Sequence, residues 1–184
     1  KDSADVRYLI LSSLVSTHIL EAKASLFAAE CFSELADDFA YVFLEMLGGL
    51  LMSAETSRAV RLAGGRAFAK MWCSILLAER AHKTGVELIR ESSEEEFSLV
   101  MLVSLSKLAS KWTPLIPRQM ELLSSFMTKD RGLSLRTMAL KCLRLILATG
   151  RYHFPANSNV TLELFGVINQ SDLPPALRFD ALRA

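Results

Sequence analysis

Four stretches of this chain align with one another without a gap, and that repetition constrains the fold more than any other feature. They are 24–37 (ASLFAAECFSELAD), 60–73 (VRLAGGRAFAKMWC), 97–110 (FSLVMLVSLSKLAS) and 135–148 (LRTMALKCLRLILA). Successive copies begin 36, 37 and 38 residues apart, and a fifth begins 42 residues further on, at Leu177. The fifth position of the copies holds Ala28, Gly64, Met101 and Ala139. The ninth holds Phe32, Phe68, Leu105 and Leu143, and the twelfth Leu35, Met71, Leu108 and Ile146. Residues four and three apart share one face of a helix, so these positions predict a buried stripe. A small residue at the fifth position lets a second helix approach closely, and the large pair fills the layer above it. A unit of this length cannot bury its apolar face alone and gains a core by stacking on its neighbours.

A second helix is predicted after each copy. The first spans 38–52, with Asp38 as its N-cap. The next span 76–90 and 114–128, the latter with Pro114 or Pro117 in a first turn where the missing N–H costs little. A shorter one covers 159–169, and 5–16 reads as the second helix of a preceding unit. Helix formers dominate, and neither strand-length alternation nor Asn-Gly or Asp-Gly turns occur. The pattern predicts an all-α, right-handed α-solenoid of about four and a half HEAT- or armadillo-like helical hairpins. The whole chain, 1–184, reads as one helical-repeat segment. Its units fall at about 1–18 (partial), 19–53, 54–92, 93–130, 131–171 and 172–184 (partial). The aromatic and Gly-Tyr marks of the tetratricopeptide repeat do not fit.

Composition agrees with that architecture. Hydrophobic residues make up 51% of the chain, as expected where hairpins bury surface both inside and between themselves. With 21 basic and 20 acidic side chains the formal charge is +1, so bulk charge draws the chain to neither nucleic acid nor an anionic membrane. The longest apolar run, 39–52, contains Glu45 and falls short of the roughly 20 residues of a membrane span. It predicts a buried helix. Neither end carries a polar capping stripe or a signal peptide, so both read as cuts through a longer array. Cys31, Cys73 and Cys142 are odd in number and far apart, which predicts three buried thiols rather than a disulfide framework.

No nucleotide-binding or hydrolase motif is present. His18, His82 and His153 are widely separated and are expected near helix ends or loops. The run Glu94-Glu95-Glu96 suits a helix N-terminus, where the dipole favours negative charge. Gly64-Gly65 marks tight helix packing, and Trp72 and Trp112 read as packing between repeats. No cofactor or metal is implied, and zinc-type ligand spacing is missing. The candidate binding residues are basic. Arg58, Arg61, Arg66 and Lys70 fall on one predicted helix, and Arg131, Arg136, Lys141 and Arg144 on or beside another. Arg61, Arg136 and Arg178 fall at one repeat position, and Arg66, Lys141 and Arg183 at a second. Together Arg61, Arg66, Arg136, Lys141, Arg144 and Arg178 make a broken ridge, interrupted by Ser98 and Val103. They are either solvated helix faces with local ion pairs or a surface that receives an acidic protein segment or an RNA backbone.

The stretch 21–40 (EAKASLFAAECFSELADDFA) resembles a helical repeat of Integrator complex subunit seven. So does 129–147 (KDRGLSLRTMALKCLRLIL), where a charged Lys-Asp turn leads into a basic and apolar helix. The intervening 99–128 fits that family's succession of helices, and the plant, SIEL-type branch is the most similar. The resemblance implies a non-enzymatic scaffold for protein–protein interactions. Its partners would be other subunits of a nuclear assembly that acts on nascent transcripts, including 3′-end processing of small nuclear RNAs. The SIEL-type branch further implies an adaptor that binds a mobile plant transcription factor of the SHORT-ROOT type. Such an adaptor would promote cell-to-cell movement, with cytoplasmic or endosomal as well as nuclear residence. Importin-like transport adaptors share the architecture, and fold alone does not separate these functions. The resemblance supplies no catalytic residue.

Overall fold

A computed structural model describes residues 2–150, 159–169 and 174–182, and among these every regular element is helical. The helices are α1 (Asp2–Ser13), α2 (Ile19–Ser33), α3 (Asp37–Met52), α4 (Arg58–Ala67), α5 (Ile75–Glu91), α6 (Glu95–Ala109), α7 (Ile116–Phe126), α8 (Leu133–Leu147), α9 (Asn159–Ile168) and α10 (Pro175–Leu182). One turn of tighter helix, Phe68–Lys70, prolongs α4, and another, Thr113–Leu115, leads into α7.

The repeat copies are the even-numbered helices. Each packs on the next, α2 on α4, α4 on α6, α6 on α8 and α8 on α10, to form one layer. The odd-numbered helices form the second layer, with α1 against α3, α3 against α5 and α7 against α9. A hydrogen bond from α5 to α7, between His82 and Gln119, bridges that layer in the middle. This is the two-layered stack of a helical-repeat solenoid.

Local chemistry sets the helix starts. The Ser57 hydroxyl accepts the Val60 N–H at the start of α4, and Ser74 accepts that of Leu77 at the start of α5. Pro117 lies in the first turn of α7, and Pro114 in the tighter turn before it. At α3 the cap is Ala36 rather than Asp38. Asp37 and Asp38 lie inside the first turn instead, where the helix dipole favours their charge. There Asp38 accepts from Arg7 of α1 at 2.7 Å, and Asp37 accepts from Ser74 at 2.9 Å, so both serve contacts between helices.

In the second, third and fourth copies the whole stripe is buried, from Gly64, Phe68 and Met71 through Leu105 to Ala139 and Ile146. The first copy departs from the expected register by one residue. Its buried face is Ala22, Ser25, Leu26, Ala29 and Ser33, while Leu35 is 82% exposed. Alignment by bulk matched Phe32 and Leu35 to the large core residues of the other copies. The α1–α2–α4 contact instead selects small side chains on α2.

Close approach is achieved differently at each level. A Cβ added at Gly64 would stand 2.8 Å from Leu51 Cδ2 and 2.9 Å from Leu47 Cδ1, so α3 and α4 meet at bare backbone. In the third copy the fifth position is the bulky Met101, and the space comes from the facing helix. A Cβ on Gly85 of α5 would lie 2.7 Å from Leu105 and 2.9 Å from Met101.

Candidate functional site

The basic residues singled out in sequence do not form one ridge. Positions two and seven of a copy are five residues apart, roughly 140° around a helix, so they face different directions. Position two turns into the stack. Arg61 pairs with Glu94 and donates to the Ser53 carbonyl at 3.0 Å, tying α4 to the α3–α4 turn and to α6. Arg136, at the same repeat position, is buried, as is Ser98. Arg178 on α10 is half-buried. Position seven faces solvent, with Arg66 and Lys141 exposed. Arg144 and Lys141 line a separate shallow depression on α8. Arg183 and His153 lie outside the described residues.

A concavity of about 770 Å³ runs along the even-numbered layer, across α2, α4, α6 and α8. Its cations are Arg66, Lys70, Lys107 and Lys111, and its acids are Glu30 and Glu34. Leu99, Val100 and Val103 of α6 and Met138 and Leu145 of α8 give it an apolar floor. Of the ridge residues, only Arg66 belongs to this groove. Lys70 and Lys107 share the eleventh repeat position, four residues after Arg66 and Val103, so an i, i+4 reading of charge would have found them.

Trp72 organises one end of the groove. Its indole N–H reaches Glu34 at 3.3 Å, and Lys70 reaches the same carboxylate oxygen at 2.8 Å. Lys111 lies 5.4 Å above the indole ring, within cation–π range. The Trp112 indole donates to the Trp72 carbonyl at 3.1 Å, which fixes this corner to α6. The bond from Lys70 holds the Glu34 carboxyl below its ordinary range and the Lys70 ammonium above its own. Burial raises the Glu30 carboxyl, against the pull of Lys70 and Arg66. One groove acid is thus engaged by a groove cation, and the other is half-buried beside that cation and Arg66.

The three acids at the start of α6 diverge, Glu94 to Arg61 and Glu96 to Arg58. Among the described residues no group of three or more His, Cys, Asp or Glu is placed to hold a metal ion. The cysteines differ from the expectation of three buried thiols. Cys142 is buried, Cys73 half-buried and Cys31 exposed. The one-residue register shift of α2 explains Cys31, which takes the outward place that Lys141 occupies on α8.

His82 lies in the middle of α5 rather than near a helix end. Its Nε2 meets Gln119 Oε1 at 2.8 Å, and the Gln119 amide donates to Ser106 at 2.8 Å. The Ser106 hydroxyl also acts on the Cys142 thiol of α8, opposing part of the rise that burial gives it. Three helices, α5, α7 and α6, are linked by this buried chain. Burial lowers the His82 pKa and raises that of Cys142.

No helix among the described residues is long and apolar enough to cross a membrane. The fold is similar to the crystal structure of an engineered protein, with a TM-score of 0.57 at 17% identity, covering 98% of this chain and 77% of that one. In sequence the chain is 22% identical over 170 residues to the Integrator complex subunit 7 homolog of Dictyostelium discoideum. That alignment covers 92% of this chain and 16% of the relative, so the chain spans about one sixth of the relative's length. The family described as Integrator complex subunit 7, N-terminal, matches residues 1–182. With a match of that extent on a stacked helical array, the chain belongs to the Integrator complex subunit 7 family.

Proposed function

We propose that this segment is a non-enzymatic scaffold that holds protein partners within an Integrator assembly, and that it acts in the nucleus in 3′-end processing of small nuclear RNAs. The observation that carries the reading is the family match along 1–182, on an array whose layers leave one long groove open. A stacked solenoid offers extended surface rather than an enclosed catalytic cleft, and its repeats let many residues contribute to one partner. The polar chain around His82 is buried between helices and supplies packing specificity rather than a nucleophile open to substrate.

Purification of the full-length parent protein from nuclear extract, followed by mass spectrometry, tests this. Other Integrator subunits are expected at stoichiometric levels. Recovery of a transcription factor without them would replace the reading with the SIEL-type adaptor role. Recovery of transport factors without them would point to an importin-like function.

A further inference from the structure

We propose that the groove along the even-numbered layer seats an acidic protein segment that carries large apolar side chains. The proposal rests on the scaffold reading and names the chemistry of its partner.

Charge is the first argument. Four cations line the groove against two carboxylates. Glu34 and Lys70 are paired with each other, which leaves Arg66, Lys107 and Lys111 against Glu30. The field that an incoming segment meets is therefore positive and favours Asp and Glu. Lys107, in the last turn of α6, and Lys111, just past its end, are both exposed and only four residues apart, so acids on a single short segment can meet both.

The floor is the second argument. Leu99, Val100, Val103, Met138 and Leu145 are each half-buried, and they run between α6 and α8 beside the cations. A phosphate backbone would use the lysines and leave this floor wet. An apolar side chain fills it and gains from leaving water. Met138 adapts to varied shapes, and Trp72 supplies an aromatic wall at the charged end. Apolar floor and basic rim together fit an amphipathic acidic segment laid into a groove.

The test uses a fluorescein-labelled peptide of about twelve residues in which Asp and Glu flank a Leu-Phe core. Three comparison probes are a version with Lys for the acids, a version with Ser for the apolar core, and oligouridylate RNA. Anisotropy titrations against the chain should rank the acidic apolar peptide tightest, with affinity falling as salt rises. Lys107→Glu with Lys111→Glu should weaken it at least about tenfold, and the Lys107→Gln, Lys111→Gln pair should weaken it less. Arg80→Glu, on the other layer, should leave it unchanged. Equal binding of all probes, no binding, tighter binding of RNA, or binding indifferent to Lys107 and Lys111 would overturn the proposal. Recovery of Integrator subunits by the parent protein is read separately. Subunits recovered without peptide binding would sink the groove proposal and leave the scaffold reading standing.

Discussion

Replacing Gln119 with Met should destabilise the chain far more than a change of similar shape at an ordinary core position. Gln119 is fully buried and is the middle member of the chain from His82 to Ser106, with both bonds at 2.8 Å. Met keeps the length of the side chain and removes both bonds. His82 Nε2 and the Ser106 hydroxyl then each lose a partner in a buried interface. Orphaned buried groups cost about 1–3 kcal/mol each, and an apolar chain in place of the amide recovers roughly 1 kcal/mol, so the net loss should be about 1–5 kcal/mol. Adding His82→Leu removes one of the orphans. The double variant should therefore be more stable than the sum of the single effects implies, by at least about 1 kcal/mol. Urea denaturation followed by helical circular dichroism, at about pH 8 so that the imidazole is neutral in both states, measures all four species. A Gln119→Met loss below about 0.5 kcal/mol, or strict additivity with His82→Leu, would refute the view that these residues form one coupled network.

Acid should destabilise the chain in a window set by His82. Burial lowers its pKa in the folded state, so the unfolded chain takes up the proton first, and stability present above the ordinary value of 6.5 is lost as pH falls toward the folded value. His82→Leu should remove that limb, leaving losses at lower pH, below 4.5 and 3.8, where Glu34 and Asp38 lose their partnered charge. Arg61→Ala should cost about 1–3 kcal/mol in thermal or urea denaturation, because it deletes bonds to Glu94 and to the Ser53 carbonyl. Arg58→Ala should cost under about 1 kcal/mol by the same measurement, since that side chain is 71% exposed. A maleimide under native conditions should label Cys31 first and Cys73 more slowly, and should reach Cys142 only on unfolding; mass spectrometry of the labelled peptides reads the order.

What could be read in sequence follows from how strongly each residue is constrained by its own neighbours along the chain. Helix identity and order were legible because the apolar period is local and repeats in every copy. The stripe through Phe68, Leu105 and Leu143 is set by packing that each copy must solve in the same way. The register of α2 was not legible, since Ala28, Phe32 and Leu35 offer an equally apolar face and only the neighbouring helices choose Ala29 and Ser33. Nor was the polar chain. Ser106, Gln119 and His82 lie on three helices, and a lone polar residue in an apolar stripe has no meaning until its partner is placed.

The groove differs from the core in a way that bears on function. In the second to fourth copies the buried fifth, ninth and twelfth positions stay free of polar side chains, because each level must pack on the next. The eleventh position does not, passing from Glu34 to Lys70, Lys107 and Leu145. The seventh passes from Glu30 to Arg66, Val103 and Lys141. Binding need not repeat as packing does: the cations that recur at the second position, Arg61 and Arg136, are turned inward by the stack. Stacking needs sameness from copy to copy, whereas recognition of one partner needs difference. The positions where the copies diverge on their open face are therefore where this array acquires a specific surface, and four of them bring Glu34, Lys70, Lys107 and Leu145 into one groove.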